Sequence, residues 1–136
     1  MRVFLDANIL FSAARSDGAI RRLVGLLREA GHTCCVDAFV IEEARRNLAA
    51  KAPAAQPELD SILATMAILP ILPPDRRLLK SLPLPEKDRP VLAAAILGAC
   101  DALVTGDRSH FGLLFGTSVR GAAVYSPAEA AAELLE

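Results

Sequence analysis

Apolar residues follow two alternating patterns along this chain. Short runs that are apolar on both faces, typical of buried strands, occupy residues 3–5, 33–36, 68–72, 103–104 and 122–125. Between these runs, apolar residues recur at three- and four-residue spacing, which indicates helices. Buried strands that alternate with helices are typical of a parallel sheet covered on both faces. The pattern predicts an α/β fold with three layers, α/β/α, around a central parallel sheet of four to five strands.

Polar residues and prolines mark where these elements begin and end. Asn8 is predicted to cap the first helix, and Ser126-Pro127-Ala128-Glu129 has the form of a capping box for the last one. Pro70 confines the third strand to a short or edge position, because proline cannot donate to a strand ladder. Four further prolines are predicted to mark the loops around a short helix at 76–81: Pro73, Pro74, Pro83 and Pro85.

Length and composition narrow the class of protein. A chain of 136 residues predicts one domain, 1–136, whose core is aliphatic because aromatic residues make up only 4%. Base stacking on aromatic side chains is therefore not expected as a binding mode. The formal net charge of -1 indicates that any contact with nucleic acid depends on local basic clusters.

The same features favour a soluble protein of the cytoplasm. No apolar run approaches the length of a membrane span, and no signal-peptide pattern opens the chain, so no membrane partner is expected. The three cysteines have no paired spacing and lie in apolar context, which predicts buried thiols in a reducing compartment: Cys34, Cys35 and Cys100.

Four acidic residues stand where apolar segments stop or helices start. Asp6 and Asp107 follow predicted strands, whereas Glu43 and Asp88 lie early in predicted helices. In a doubly wound sheet, ligands bind at the carboxyl ends of the strands, so these four side chains can converge on one cleft. Converging carboxylates would raise each other's pKa values unless a cation neutralised them, and carboxylate oxygens suit Mg²⁺ or Mn²⁺.

Each acid also has an ordinary explanation. Asp88 and Asp107 could cap the elements that follow them, and Glu43, beside Glu42, could lie on a solvated helix face. Asp6 is harder to explain in this way, because a carboxylate directly after a buried strand is costly to desolvate. Zinc is disfavoured, since the two histidines share no ligand spacing; we expect His32 and His110 to be surface or partner-bonded imidazoles.

Four segments together resemble the PIN-domain family of metal-dependent ribonucleases, including the bacterial toxins of the VapC type. They are Leu5-Asp6-Ala7-Asn8, Ile41-Glu42-Glu43-Ala44, Asp88-Arg89-Pro90-Val91 and Val104-Thr105-Gly106-Asp107. The strand that leads into Ser126-Pro127 resembles the family's ending, so the resemblance covers essentially the whole chain. No single segment is specific, but the ordered set of four, with its local apolar context, is much more so.

The resemblance implies a site and a chemistry. Its acidic metal-binding and catalytic residues would be Asp6, Glu43, Asp88 and Asp107, with Asn8 and Thr105 orienting them. Glu43 is favoured over Glu42, and Asp101 is interpreted as a structural cap. One or two Mg²⁺ or Mn²⁺ ions would activate water to cleave RNA, leaving a 3′-hydroxyl and a 5′-phosphate. Candidate phosphate contacts are the basic residues near these elements: Arg15, Arg45, Arg46, Lys87, Arg89 and Arg108.

Alternative functions remain open at this point. The run Phe4-Leu5-Asp6-Ala7-Asn8 superficially resembles haloacid-dehalogenase phosphatases, but Asn8 stands where a second aspartate is expected. Small PIN proteins resemble the toxins of type II toxin–antitoxin pairs, which implies a homodimer, a cognate antitoxin partner and an RNA substrate. There are two alternatives: a stand-alone RNA-processing nuclease, or an inactive PIN-like module that binds RNA or protein.

Overall fold

The computed structural model describes residues 1–73 and 75–135, so Pro74, one of the predicted loop prolines, and Glu136 lie outside the described residues. The elements in chain order are β1 (Arg2–Leu5), α1 (Ala7–Arg15), α2 (Ala19–Glu29), β2 (Thr33–Asp37), α3 (Ala38–Lys51), α4 (Gln56–Leu63), β3 (Ala67–Leu69), α5 (Arg76–Ser81), α6 (Arg89–Leu97), β4 (Ala102–Val104), α7 (Arg108–Phe111), β5 (Ser118–Val119), β6 (Ala122–Tyr125) and α8 (Pro127–Leu134). Short 3-10 turns lie at Pro53–Ala55, Glu86–Asp88 and Gly112–Leu114.

The described residues form one sheet of six strands in the order β3-β2-β1-β4-β6-β5. All neighbouring pairs are parallel except β5 with β6, which is antiparallel. Helices α1 to α4 pack together, α5 packs on α6, and these groups flank the sheet. The predicted three-layer α/β/α fold is therefore confirmed, with one more strand than expected.

The additional strand, β5, comes from a hairpin that the apolar pattern does not reveal. Only two residues, Arg120 and Gly121, connect β5 to β6, and both have positive φ, 49° and 90°. Two-residue hairpins favour this conformation because its twist matches that of the flanking strands. A strand as short as Ser118–Val119 has too few residues to show an alternating pattern.

Two predicted element boundaries need correction. The third strand ends at Leu69 rather than at residue 72, although β3 does lie at an edge of the sheet, as Pro70 indicated. Asn8 does not cap the first helix. Asp6 does so, because its carboxylate accepts a hydrogen bond from the Ala7 N–H.

The core is aliphatic and centred on the two middle strands. Every residue from Val3 to Leu5 in β1 and from Ala102 to Val104 in β4 is buried. All three cysteines are free and buried, as expected for small core residues. The predicted capping box at Ser126 and Glu129 is present at the start of α8. Among the described residues, the helices are too short or too polar to cross a membrane.

Candidate functional site

The sheet order places the candidate site between β1 and β4. The chain runs from β1 outward to β2 and β3, then returns to β4 on the other side of β1. At such a reversal the connections leave in opposite directions and open a crevice at the carboxyl ends of the strands. Leu5 pairs with Val104 at the last register position, so Asp6 and Thr105 follow side by side. We call the carboxyl end of β1 and β4, with the acidic residues predicted to lie there, the acidic edge; those residues are Asp6, Glu43, Asp88 and Asp107.

The Asp6 carboxylate is buried and held by hydrogen bonds. Asp6 is only 6% exposed. Oδ1 accepts a hydrogen bond from the Ala7 N–H at 2.7 Å. Oδ2 accepts one from the Thr105 hydroxyl at 2.8 Å and one from the Asn8 amide at 3.2 Å. Both carboxylate oxygens therefore have protein partners that fix their direction.

Burial nevertheless raises the pKa of the Asp6 carboxyl above its usual value, because removal from water disfavours the charged form. The hydrogen bonds from Thr105 and Ala7 act in the opposite direction and lower that pKa. The negative charges of Glu43 and Asp107 raise it further. The fold thus orients a carboxylate whose charge it does not fully compensate.

Asn8 and Thr105 connect Asp6 to the loop that carries Asp107. The Asn8 amide oxygen accepts a hydrogen bond from the Gly106 N–H at 2.8 Å. The fully buried Thr105 hydroxyl oxygen accepts from the Asn8 amide at 3.3 Å and from the Asp107 N–H at 3.2 Å. These two residues therefore link the Asp6 carboxylate to the backbone of the Asp107 loop.

A second group of side chains lies beside this network. Asp88, at the start of α6, and Asp107, before α7, both approach the imidazole of His110. Nδ1 of His110 lies 2.9 Å from Oδ2 of Asp88 and 3.1 Å from Oδ2 of Asp107. One ligand atom from each of the three residues lies within 4.8 Å of the others, a spacing that could hold a metal ion.

The capping explanation fits Asp107 but not Asp88. Oδ1 of Asp107 accepts a hydrogen bond from the His110 N–H at 3.1 Å, so this residue caps α7 while its other oxygen faces the cluster. Asp88 occupies the N-cap position of α6, yet its side chain makes no capping hydrogen bond. Its Oδ2 is shielded from solvent and has no hydrogen-bond partner among the described residues.

The structure also distinguishes Glu43 from the two other acids considered for the site, Glu42 and Asp101. Glu43 is half-buried and acts on the charge of Asp6, whereas Glu42 is exposed. Asp101 lies before β4, at the opposite end of the strands, and its carboxylate accepts a hydrogen bond from the Arg2 N–H at 2.8 Å. The geometry therefore favours Glu43 over Glu42 and gives Asp101 the structural role expected of it.

The candidate phosphate-binding residues differ in how far their guanidinium groups are already engaged. Arg45 forms an ion pair with Asp60 at 2.7 Å, and the Arg89 side chain donates to the Leu84 carbonyl at 2.9 Å. Arg15 is exposed, with its guanidinium carbon 5.6 Å from the ring centroid of Phe11. Two others, Arg46 and Arg108, are exposed, and neither side chain forms a hydrogen bond or an ion pair within the described part of the chain.

A shallow cleft of about 390 Å³ opens beside the acidic edge. Asn8 and Asp107 contribute to its wall together with Ser12 and Pro127. The hydrogen-bonded half of the site is therefore accessible from one side. A flexible polar chain could approach Asp107 through this cleft.

His110 is the residue of this site that sequence reasoning missed. The sequence predicts a surface or partner-bonded imidazole at this position, because the two histidines share no ligand spacing, and its contacts with Asp88 and Asp107 agree with a partner-bonded one. The available signal was its position three residues after Asp107, since a capped turn brings residues at that spacing to one side. His32 is also bonded as expected, with the Leu134 carbonyl 2.8 Å from its Nε2.

Comparison with known proteins identifies a family for most of the chain. The family model described as PIN domain matches residues 2–109. None of the curated proteins matches the chain.

Two similar solved structures share the fold. VapBC2 from Rickettsia felis, crystallised bound to a DNA fragment from its promoter, has a chain that superposes with a TM-score of 0.68 at 19% identity. That likeness covers 93% of this chain and 98% of the other. PAE2754 from Pyrobaculum aerophilum gives a TM-score of 0.69 at 20% identity, covering 98% of this chain and 95% of the other.

Proposed function

This chain belongs to the PIN-domain family, and from that premise we propose that it is a divalent-metal-dependent endoribonuclease and the toxin of a type II toxin–antitoxin pair. The observation that supports the proposal is that Asp107 both acts on the charge of Asp6, as Glu43 does, and lies with Asp88 against His110. The aspartates and Glu43 are the proposed metal-binding and catalytic residues.

The side chains present fit a divalent cation. Oδ2 of Asp88 and Nδ1 of His110 are both shielded from solvent and lack hydrogen-bond partners among the described residues. Buried polar atoms are costly when they lack a hydrogen bond, so these two atoms, which lie 2.9 Å apart, favour a cation that contacts both of them from one side. The charge of Asp6 is likewise under-compensated. An ion of the Mg²⁺ or Mn²⁺ class, bound by carboxylate oxygens, would relieve both.

The side chains of the proposed site have separate roles in hydrolysis. A bound cation would supply positive charge to the scissile phosphate and would make water a better nucleophile at neutral pH. Thr105 and Asn8 hold the Asp6 carboxylate in one orientation. Asp107 keeps one oxygen on its helix cap and directs the other into the site. The exposed Arg46 and Arg108 are available to contact backbone phosphates.

Mn²⁺ calorimetry combined with cleavage of a single-stranded RNA tests the nuclease proposal. The wild type should bind Mn²⁺ and cut the RNA to 3′-hydroxyl and 5′-phosphate ends. Asp88→Asn should weaken Mn²⁺ binding at least ~10-fold. Loss of a residue that only supports a metal ligand already lowers metal affinity by about this factor, and loss of a ligand should cost no less. The matched control is Asp101→Asn, which changes an aspartate at the opposite end of the strands and should leave both readouts unchanged.

Several results would contradict the nuclease proposal. If the wild type bound no divalent ion and did not cut, the proposal would be lost. If it bound Mn²⁺ without cutting, an inactive module that binds RNA or protein would be favoured instead. Equal losses in Asp88→Asn and Asp101→Asn would mean that the acidic edge is not the site.

The toxin role needs a cellular test. Its support is the family resemblance of small PIN proteins to toxins, together with the fold shared with a chain of the VapBC2 complex. Expression in the bacterial cytoplasm should arrest growth, and co-expression of a neighbouring small reading frame should relieve the arrest. Asp88→Asn should not arrest growth. Without arrest or a partner, a stand-alone RNA-processing nuclease would replace the toxin.

The proposed toxin is expected to be a homodimer that an antitoxin inhibits. Light scattering of the purified chain, alone and with the product of the neighbouring reading frame, measures both assemblies. A monomer that forms no complex would remove this part of the proposal.

A further inference from the structure

His110 lies at the acidic edge, in contact with Asp88 and Asp107, although it is not one of the four acids proposed to bind metal. We propose that His110 is a metal ligand through Nδ1, so that this site prefers a divalent transition-metal ion of the Mn²⁺ class to Mg²⁺. The inference rests on the proposed metal-dependent function and specifies which ion that site takes.

The positions of three atoms support a ligand role. Nδ1 of His110 lies close to Oδ2 of Asp88, at 2.9 Å, and to Oδ2 of Asp107, at 3.1 Å. Nδ1 and Asp88 Oδ2 are shielded from solvent, and neither atom has a hydrogen-bond partner among the described residues. One ligand atom from each of Asp88, Asp107 and His110 lies within 4.8 Å of the others, so the three side chains have the spacing of a ligand set.

Local structure holds the imidazole in this position. The Asp107 carboxylate caps α7 by accepting the His110 N–H at 3.1 Å, which fixes the backbone of the turn. The next residue, Phe111, is 1% exposed and anchors the other side of the turn in the core. His110 is therefore confined between a cap and a core anchor. Such preorganisation lowers the entropy cost of binding an ion there.

The donor type then selects among ions. Mg²⁺ strongly prefers oxygen ligands and retains its water, so an imidazole nitrogen contributes little to its binding. Imidazole suits transition metals such as iron, nickel and zinc, and affinity for a nitrogen-containing site rises along the first-row series, of which Mn²⁺ is the weakest binder and Mg²⁺ is not a member. Two carboxylates with one imidazole therefore differ in selectivity from a site made of carboxylates alone.

The alternative explanation is an ion pair in which a protonated imidazole sits between two carboxylates. It accounts for the same distances and requires no bond between nitrogen and metal. The two explanations differ in whether nitrogen enters the coordination sphere of a bound ion. That difference is measurable by electron paramagnetic resonance, because a coordinated nitrogen nucleus couples to the electron spin of Mn²⁺.

The experiment uses the full chain loaded with Mn²⁺ at one fixed pH. Electron spin-echo modulation of the wild type should show coupling to one histidine nitrogen, and labelling histidine with ¹⁵N should change that signal. His110→Asn, which offers a carbonyl oxygen in place of Nδ1, should lose the coupling. The control His32→Gln should keep it, because His32 is bonded to Leu134 away from the acidic edge.

Calorimetry on the same samples measures selectivity. The ratio of Mn²⁺ to Mg²⁺ affinity should fall at least ~10-fold in His110→Asn, the lower end of the cost of losing even an outer-shell partner. His32→Gln should keep the wild-type ratio. Circular dichroism establishes that both variants are folded, and the measurement on the wild type requires no variant at all.

Bound Mn²⁺ without histidine coupling in the wild type would overturn the inference in favour of the ion pair. An unchanged affinity ratio in His110→Asn, or no Mn²⁺ binding by the wild type, would also overturn it. RNA cleavage by the same samples separates this outcome from failure of the proposed function. Cleavage with either ion, without nitrogen coupling, would leave a nuclease whose metal is held by carboxylates alone.

Discussion

Asp6 and Asp88 lie at the same acidic edge, yet the fold holds their carboxylates in different ways. Both oxygens of Asp6 accept hydrogen bonds, and its residue is 6% exposed. The Asp88 side chain is 17% exposed, and its Oδ2 lacks a hydrogen-bond partner among the described residues. One half of the site is completed by the protein itself, whereas the other has donor atoms available for a ligand.

This difference follows from where each residue stands in the fold. Asp6 directly follows a central strand and caps α1, so buried backbone and side-chain donors surround it. Asp88 ends a 3-10 turn, and the proline at position 90 removes one N–H that it could have bonded. The comparison predicts that changes in the Asp6 half affect the stability of the metal-free protein as well as metal binding, while changes around Asp88 and His110 mainly affect metal binding.

The largest stability effect is expected for Thr105→Val. This substitution removes a buried hydroxyl that donates to Asp6 at 2.8 Å and accepts from the Asp107 N–H at 3.2 Å. Unpaired buried partners cost roughly 1–3 kcal/mol in unfolding free energy, measured by urea denaturation without metal. Thr105→Ser, the control, retains the hydroxyl and should lose less. A loss no greater than that of His110→Asn would contradict the division of the site into two halves.

A smaller effect of opposite sign is expected for Asp6→Asn. Asparagine keeps an oxygen for the Ala7 N–H but places an amide nitrogen where Oδ2 accepts from Thr105 and Asn8. Against that loss it removes the buried charge, whose desolvation is the main cause of the raised Asp6 pKa, and we expect the removal of the charge to outweigh the lost hydrogen bonds. The melting temperature in chelator should therefore rise by a few degrees, since 1 kcal/mol corresponds to roughly 2–8 °C for domains of about this size.

With Mn²⁺ present, the wild type should have a higher melting temperature than Asp6→Asn. Excess Mn²⁺ should stabilise the wild type and have little effect on Asp6→Asn, because binding to the folded state alone raises stability. A lower melting temperature for Asp6→Asn in chelator would show that its hydrogen bonds outweigh the cost of its buried charge.

The smallest expected effect is a dependence of stability on pH. The pKa of Asp6 is raised in the folded state above the value of 3.8 for an unperturbed aspartate. Between those two pKa values the folded chain retains a proton that the unfolded chain has lost, so unfolding free energy falls as pH rises. The fall begins near pH 3.8 and ends above the raised pKa.

Asp6→Asn isolates this contribution from those of the other acids. The variant has no carboxyl at position 6, so its stability advantage over the wild type should grow with pH across that window and then remain constant. Urea denaturation of both proteins in chelator, at a series of pH values, measures the difference. A difference that does not change with pH would mean that Asp6 has the same pKa in both states.

Much of the fold could be predicted from local patterns. The short apolar runs located the five longer strands, and Ser126 with Glu129 located the last helix, because strand burial and capping are written in adjacent residues. The hairpin strand Ser118–Val119 could not be found in this way. Asn8 was wrongly predicted as a cap because Asp6, two residues earlier, offers the same chemistry.

The sequence by itself determined the alternation of strands and helices, the aliphatic core and the order of the four acids. Only the tertiary structure decided which of these acids have their oxygens hydrogen-bonded by the protein and which have oxygens available for a ligand, and it alone placed His110 beside them. The physical reason is range: strands and caps depend on neighbours in the chain, whereas desolvation and ion binding depend on groups that only the folded sheet brings together.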